Sequence, residues 1–285
     1  MNFKEFLRSG KDQLATAGIS EVDAEHLLAY VLGLSRMDLH NPVVVEGALA
    51  AQSDMTIIEE SYWKLLDRRA AHEPLQYLTG TAYFRHLELA VGTGVLVPRP
   101  ESELLVDAVL AHIANIHAMV SVVDLGSGSG ALALAIATEA PTSRVIAVEN
   151  SPAAIYWLKK NVSTILATVR IVESDVADAL MGVKCDVVIA NPPYLPNGQV
   201  LPRDVAEHEP NVALFGGVNG MEIPRVFISA AARLLKSGGL LVIEHSEEQG
   251  VAIADALALD FEDVILNNDF VGRPRWTRAT RRSIN

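Results

Sequence analysis

Over the first part of the chain, apolar side chains return every three or four positions: Phe3, Phe6, Leu7 and Leu14, then Val22, Leu27, Leu28, Val31 and Leu32. That spacing puts them on one face of a helix. A third helix is predicted from Met55 to Ala71, stopped by Pro74, which lacks the N–H needed to continue it. No alternating pattern interrupts this stretch, so residues 1–73 are expected to form a small helical domain. The next segment, "AYFRHLELAVGTGVLVPRP", holds two β-like runs around Gly92 and Gly94 and predicts a β-hairpin within a linker spanning 74–98.

Beyond Val120 the period changes. Short apolar runs at Ser121–Leu125, Arg144–Glu149, Val169–Ser174, Cys185–Ala190, Leu240–Glu244 and Asp263–Leu266 are separated by helical patterns, including Pro152–Leu166 and Met221–Leu235. Strands alternating with helices predict an α/β domain, residues 99–285, with a doubly wound, mostly parallel sheet and ligands at the strand C-terminal ends. A seventh run, Arg275–Thr280, follows without a helix and is expected to add an antiparallel edge strand. The stretch from Leu195 to Gly220 is too long for an ordinary connection, which marks it as a candidate functional loop.

Composition narrows the class. Half of the 285 residues are hydrophobic, enough for a sizeable core. The start, "MNFKEFLRSGKDQL", is mixed in charge and amphipathic, unlike a signal peptide. No run approaches a membrane span, and a single cysteine, Cys185, fits a packed thiol in a reducing cytoplasm. Net charge is −12, but the last thirteen residues carry five Arg and no acid, so the remainder stands at −17. Such a body does not grip nucleic-acid phosphates over a wide face.

Candidate chemistry sits at consecutive strand ends. In "VVDLGSGSGALALA", Gly126, Gly128 and Gly130 let the backbone turn and approach a ligand, with Asp124 at the strand end beside it. The second strand ends in Glu149, nineteen residues after Gly130, where a carboxylate can accept both hydroxyls of a ribose. The third leads to Asp175, beside the expected base pocket. These acids point to a nucleoside derivative. The loop also fits G-x-G-x-x-A, so a dinucleotide remains open at this stage.

The fourth strand ends in "NPPY". Pro192 and Pro193 have no N–H and hold the chain extended, which leaves nearby carbonyls as acceptors beside the Asn191 side-chain oxygen. Acceptors without donors suit a substrate NH₂ group. Tyr194 offers an aromatic face for the substrate or a cationic sulfonium. Such a site aims a weak nitrogen nucleophile at an electrophilic methyl and has no use in hydride transfer.

"DLGSGSGALALA", the acid of "VIAVEN" and "NPPY" together resemble a class I S-adenosylmethionine-dependent methyltransferase, Rossmann-like in fold, that modifies a planar NH₂ nitrogen. "RRAAHEPLQYLTG", "VLVPRPESELL", "EPNVALFGGVNG" and "GRPRW" further resemble the release-factor glutamine methyltransferase family (PrmC, formerly HemK), from about Arg68 to Trp276. The resemblance implies S-adenosyl-L-methionine as cofactor and S-adenosyl-L-homocysteine as product. It implies methylation of the glutamine amide in the Gly-Gly-Gln motif of class I peptide chain release factors 1 and 2. Cysteine count, charge, hydropathy and ligand spacing add the expectation of a cytoplasmic monomer with no nucleic acid or membrane partner and no metal, and the family favours substrate recognition by the helical domain. Carried onto this chain, Gly126, Ser127, Gly128, Ser129 and Gly130 would cradle the methionine part. Asp124, Glu149, Asp175, Val176 and Asn191 would complete the cofactor site, and Asn191, Pro192, Pro193 and Tyr194 would hold the glutamine. "EHSEEQ" departs from the Glu-Ile-Gly of many relatives, leaving Glu244 and Gln249 matched. The rivals are a nucleic-acid N-methyltransferase, which should show a basic groove, and an inactive binding module, which should have lost an acid or the NPPY. From the residues, Glu207, His208 and Glu209 form a loop rather than a metal site, and Arg99 opens a helix.

Overall fold

The structure, a computed structural model, describes residues 3–51, 55–114 and 116–283. The chain divides into two compact units, one formed by residues 1–80 with 201–208 and one by 81–200 with 209–285.

The first unit is helical: α1 (Phe3–Thr16), α2 (Val22–Leu32), α3 (Pro42–Ala50), α4 (Met55–Ala70) and α5 (Leu75–Thr79). Phe6, Leu14, Leu27, Leu28, Tyr62 and Leu66 form its core, as the helical spacing requires. The Tyr62 hydroxyl donates to the Ala24 carbonyl at 3.2 Å, so the largest buried ring leaves no polar atom stranded. The predicted third helix is the fourth. Two of these helices were missed, α5, which lies in the expected linker, and α3, which begins "PVVVEG", whose β-branched residues and glycine read against a helix. Its start is set by Asn41, whose side chain accepts from Val43 N–H, and by Pro42 in the first turn.

The second unit opens with an antiparallel pair, β1 (Thr81–Phe84) and β2 (Leu87–Ala90), in a sheet of its own. Its turn lies at Arg85–His86 and not around Gly92 and Gly94, which corrects the expected hairpin. Arg85 takes a left-handed φ of 54°, held by distant partners. Its N–H donates to Glu103 and its guanidinium grips both oxygens of Glu139 and one of Asp107. Gly92 instead passes against the Trp157 ring, where an added Cβ would stand 2.5 Å away.

The main sheet contains β3 (Ser121–Leu125), β4 (Arg144–Glu149), β5 (Val169–Glu173), β6 (Cys185–Ala190), β7 (Leu235–Glu244), β8 (Phe261–Asn268) and β9 (Pro274–Arg281), in the order β5-β4-β3-β6-β7-β9-β8. The first five pair in parallel, and β9 runs antiparallel to both β7 and β8. This is the doubly wound, mostly parallel seven-stranded sheet expected. Successive residues of β3 and β6 enter opposite cores, Val122, Val187 and Ile189 on one face, Val123, Val188 and Ala190 on the other. A strand buried on both faces must be apolar throughout, which explains the unbroken runs. The helices are α6 (Glu103–Ile113), α7 (Ala131–Glu139), α8 (Pro152–Ile165), α9 (Arg203–His208), α10 (Glu222–Leu234) and α11 (Gly250–Leu257), of which α9 belongs to the first unit.

The arginine-rich tail corrects a second expectation. β9 lies between β7 and β8, and β8 is the edge. Trp276, Thr277 and Ala279 are buried, and Arg281 with them. Arg281 donates to the carbonyls of Ala232 and Asp260, and Arg282 to that of Phe261. Arg281 is thereby held inside the unit, whereas Arg273, Arg278 and Arg282 stay exposed. Cys185 is packed as expected, with its thiol pushed up to about 12 by burial.

Candidate functional site

A cavity of about 660 Å³ opens at the C-terminal ends of β3, β4 and β6. Gly126, Ser127, Gly128 and Ser129 form one wall, with Glu149, Asp175 and Val176 beside them. Asn191 and Pro193 stand on another wall, together with Arg99 and Ser102. Apolar residues that sequence reasoning missed close the rest, among them Leu96, Phe215, Ile223 and Phe227. Of these only Phe215 falls in "EPNVALFGG", where the long 195–220 connection returns. Leu195 N–H bonds to the Leu214 carbonyl at 2.9 Å and Gly216 N–H to the Leu195 carbonyl at 2.8 Å, which brings that return limb against the NPPY turn.

The approach is close enough to demand a glycine. A Cβ on Gly216 would lie 2.5 Å from the Pro193 carbonyl oxygen and 2.9 Å from Tyr194 Cα, both backbone atoms. Gly216→Ala is therefore expected to displace the NPPY turn and lower turnover on the order of 10²-fold, measured by initial rates alongside a thermal melt. Wild-type turnover in a folded variant would show the contact to be idle.

The glycine loop fits a nucleoside cofactor. At Gly128 an added Cβ would meet only Val95, at 4.0 Å, and so would occupy the cavity itself. Glu149, largely buried, holds this loop: Oε2 accepts from Gly128 N–H at 2.8 Å, and Oε1 from Asn150 and Ser151 N–H, both at 2.9 Å. With roughly four acceptor sites on a carboxylate, three are taken. A second ribose hydroxyl needs one backbone donor released, a requirement the sequence did not show. Asp175 accepts from Ala177 N–H and from the Asn150 side chain.

Four predicted residues, Asp124, Gly130, Pro192 and Tyr194, do not line the cavity. Asp124 is fully buried and does not line the cavity; Oδ2 accepts from Ala133 N–H, and Oδ1 takes no hydrogen bond among the described residues. Gly130 is packed against Leu158 and Leu134. Pro192 is buried, while Tyr194 turns its hydroxyl to Glu244 Oε1 at 3.3 Å, and burial raises its phenol pKa. The Tyr194 carbonyl accepts from the Gln249 side chain at 2.8 Å. No hydrogen bond to the Pro192 or Pro193 carbonyl is formed among the described residues, which leaves both as acceptors.

Behind Asn191 lies a buried polar chain. Asn191 Nδ2 donates to Ser102 Oγ at 3.1 Å, and Ser102 Oγ donates to Glu244 Oε2 at 2.5 Å. Next to it, His245 donates from Nδ1 to the Ser246 carbonyl and accepts at Nε2 from Thr277, so it ties β7 to β9; burial lowers its pKa. Arg99 donates twice to buried Glu209, whereas Glu207 pairs with Arg203 and His208 faces the Ala71 carbonyl. The three residues go to three different partners, and no metal-binding cluster occurs among the described residues.

Burial pushes the carboxyls of Asp124 and Glu244 up to about 7. The folded protein then keeps protons that the unfolded chain releases near pH 4. Each group's contribution is complete below that pH and is lost as pH rises toward 7. The slope is about 1.4 kcal/mol per pH unit for each group. Glu244→Gln should flatten this fall, read as denaturant stability at pH 5 and pH 7 against wild type. An unchanged slope would place the Glu244 proton elsewhere.

The fold is that of a methyltransferase. A methyltransferase from Pyrococcus furiosus matches with a TM-score of 0.53 at 18% identity, over 70% of this chain and 91% of that one. The 16S rRNA N2 G1207 methyltransferase of T. thermophilus, solved with AdoMet and guanosine, matches with a TM-score of 0.50 at 22% identity, over 71% of this chain and 50% of that one. Residues 5–80 match the PrmC N-terminal domain and residues 100–208 the methyltransferase small domain. The chain is 40% identical to the release factor glutamine methyltransferase of Mycolicibacterium smegmatis, over 94% of each chain, and 37% identical to that of Streptomyces coelicolor at the same coverage. It belongs to the release factor glutamine methyltransferase family.

Proposed function

We propose that this protein transfers the methyl group of S-adenosyl-L-methionine to the side-chain amide nitrogen of the glutamine in the Gly-Gly-Gln motif of class I release factors 1 and 2. One observation carries the proposal: a single cavity joins the glycine loop, Glu149 and Asp175 to Asn191 and Pro193 of the NPPY turn. A nucleoside wall and an acceptor wall thus face one space, and family membership supplies the pairing of glutamine with methyl donor.

Bound there, S-adenosylmethionine supplies an electrophilic methyl on a sulfonium. Gly126 to Ser129 would line the path for its methionine part, Glu149 would accept from the ribose, and buried Val176 would pack against the base. Asn191 and the Pro192 and Pro193 carbonyls accept from the substrate NH₂. An amide nitrogen is a poor nucleophile because its lone pair is delocalised into the carbonyl. Acceptors on both N–H groups favour a pyramidal nitrogen and stabilise its developing positive charge. Holding nitrogen and methyl in line removes up to roughly 7–11 kcal/mol of barrier. No strong base is required, since the nitrogen proton becomes acidic only once the methyl has moved.

The helical unit would recognise the release factor, since neither the glycine loop nor the NPPY lies within residues 1–73. Cytoplasmic, monomeric action without direct nucleic-acid contact completes the proposal. A body at −17 supports it over a base methyltransferase. No helix among the described residues is long and apolar enough to cross a membrane. Incubation with methyl-labelled cofactor and a recombinant release factor tests the function: label should enter the release factor, and none entering would refute it.

A further inference from the structure

Ser102 ends a 3-10 turn, Pro100–Ser102, that runs straight into α6, and its own backbone is helical with φ −68° and ψ −15°. A serine in that conformation is not placed to cap the helix. Here it makes no capping bond. Its buried hydroxyl instead joins Asn191 to Glu244, partners 89 and 142 residues away in the chain.

The chain has a direction. A glutamate oxygen accepts, so Ser102 must donate its single proton to Glu244. Its lone pairs are then all that face Asn191, and they accept only from the Asn191 NH₂. The amide cannot turn over without setting its oxygen against those lone pairs. Asn191 lines the cavity, and Oδ1 takes no bond within the protein among the described residues. Polarity therefore runs from Glu244 through Ser102 to one result, an Asn191 oxygen left for the substrate. The direction holds with Glu244 ionised, and equally with its proton on Oε1, where the Tyr194 hydroxyl lies 3.3 Å away. Oε2 stays free for Ser102.

We infer that Ser102, polarised by Glu244, is a positioning residue that fixes the amide of Asn191 with its oxygen toward the substrate NH₂. A flipped amide would present donors to a donor, and the site would repel the group it is meant to align. The inference rests on the proposed reaction, but its first test does not. In the protein without release factor, NMR should find an Asn191 side-chain amide proton protected from solvent exchange. Ser102→Ala should speed that exchange about tenfold or more.

In methyl transfer to a release factor, Ser102→Ala should lower kcat on the order of 10²-fold, with cofactor Kd changed by less than about twofold. Ser102→Thr restores the hydroxyl and should recover most of the rate, which loss of packing alone would not explain. A wild-type enzyme that leaves release factors unmethylated would refute the proposed function, while the exchange contrast would still decide the inference. Unchanged exchange in Ser102→Ala, an unchanged kcat, or a threonine variant as slow as alanine would each overturn it.

Discussion

Asn191→Ala is expected to reduce methyl transfer by about 10²–10³-fold, the usual cost of removing one preorganised group that meets developing charge. Asn191 donates from its NH₂ to Ser102 and lines the cavity. Although Asn191 was also expected to border the cofactor, most of that wall is formed by the glycine loop, Glu149 and Asp175, so affinity for S-adenosylmethionine should stay close to wild type. Calorimetric titration and single-turnover rates separate the two effects. A large loss of affinity with unaltered turnover would reverse the assignment of Asn191 to substrate.

Glu149→Ala should do the opposite. The carboxylate accepts three backbone N–H groups and borders the cavity, so its loss removes a ribose acceptor and also frees the loop at Gly128. Burying hydroxyls without a charged acceptor costs roughly 2–4 kcal/mol, which corresponds to a weakening of cofactor binding by about 30- to 10³-fold. Turnover at saturating cofactor should fall much less. Affinity within about twofold of wild type would exclude Glu149 from the ribose.

These expectations show what local sequence carries. The parallel strands were legible because β3, β4 and β6 are buried on both faces and so are short unbroken apolar runs. Strand ends were legible too, since Glu149 closes β4, Asn191 directly follows β6, and Asp175 lies two residues beyond β5. Pairings made across the chain were not. The position of β9 between β7 and β8 depends on burying Arg281 against Ala232 and Asp260, and its charge pattern alone suggests an edge. The hairpin turn sits on Arg85, a residue that favours no turn until Glu103, Asp107 and Glu139 hold it. Asp124 looked like a ligand contact because it ends a strand, yet folding places it wholly beneath the loop. Ser102 gave no chemical sign at all, because its partners are supplied only by the closed sheet.

Mass mapping of a release factor after incubation with this protein and S-adenosylmethionine tests the central claim most directly. The account predicts one added methyl, on the side-chain nitrogen of the Gly-Gly-Gln glutamine, and none when that glutamine is replaced. A methyl found on another residue, or undiminished methylation of the replaced substrate, would contradict it.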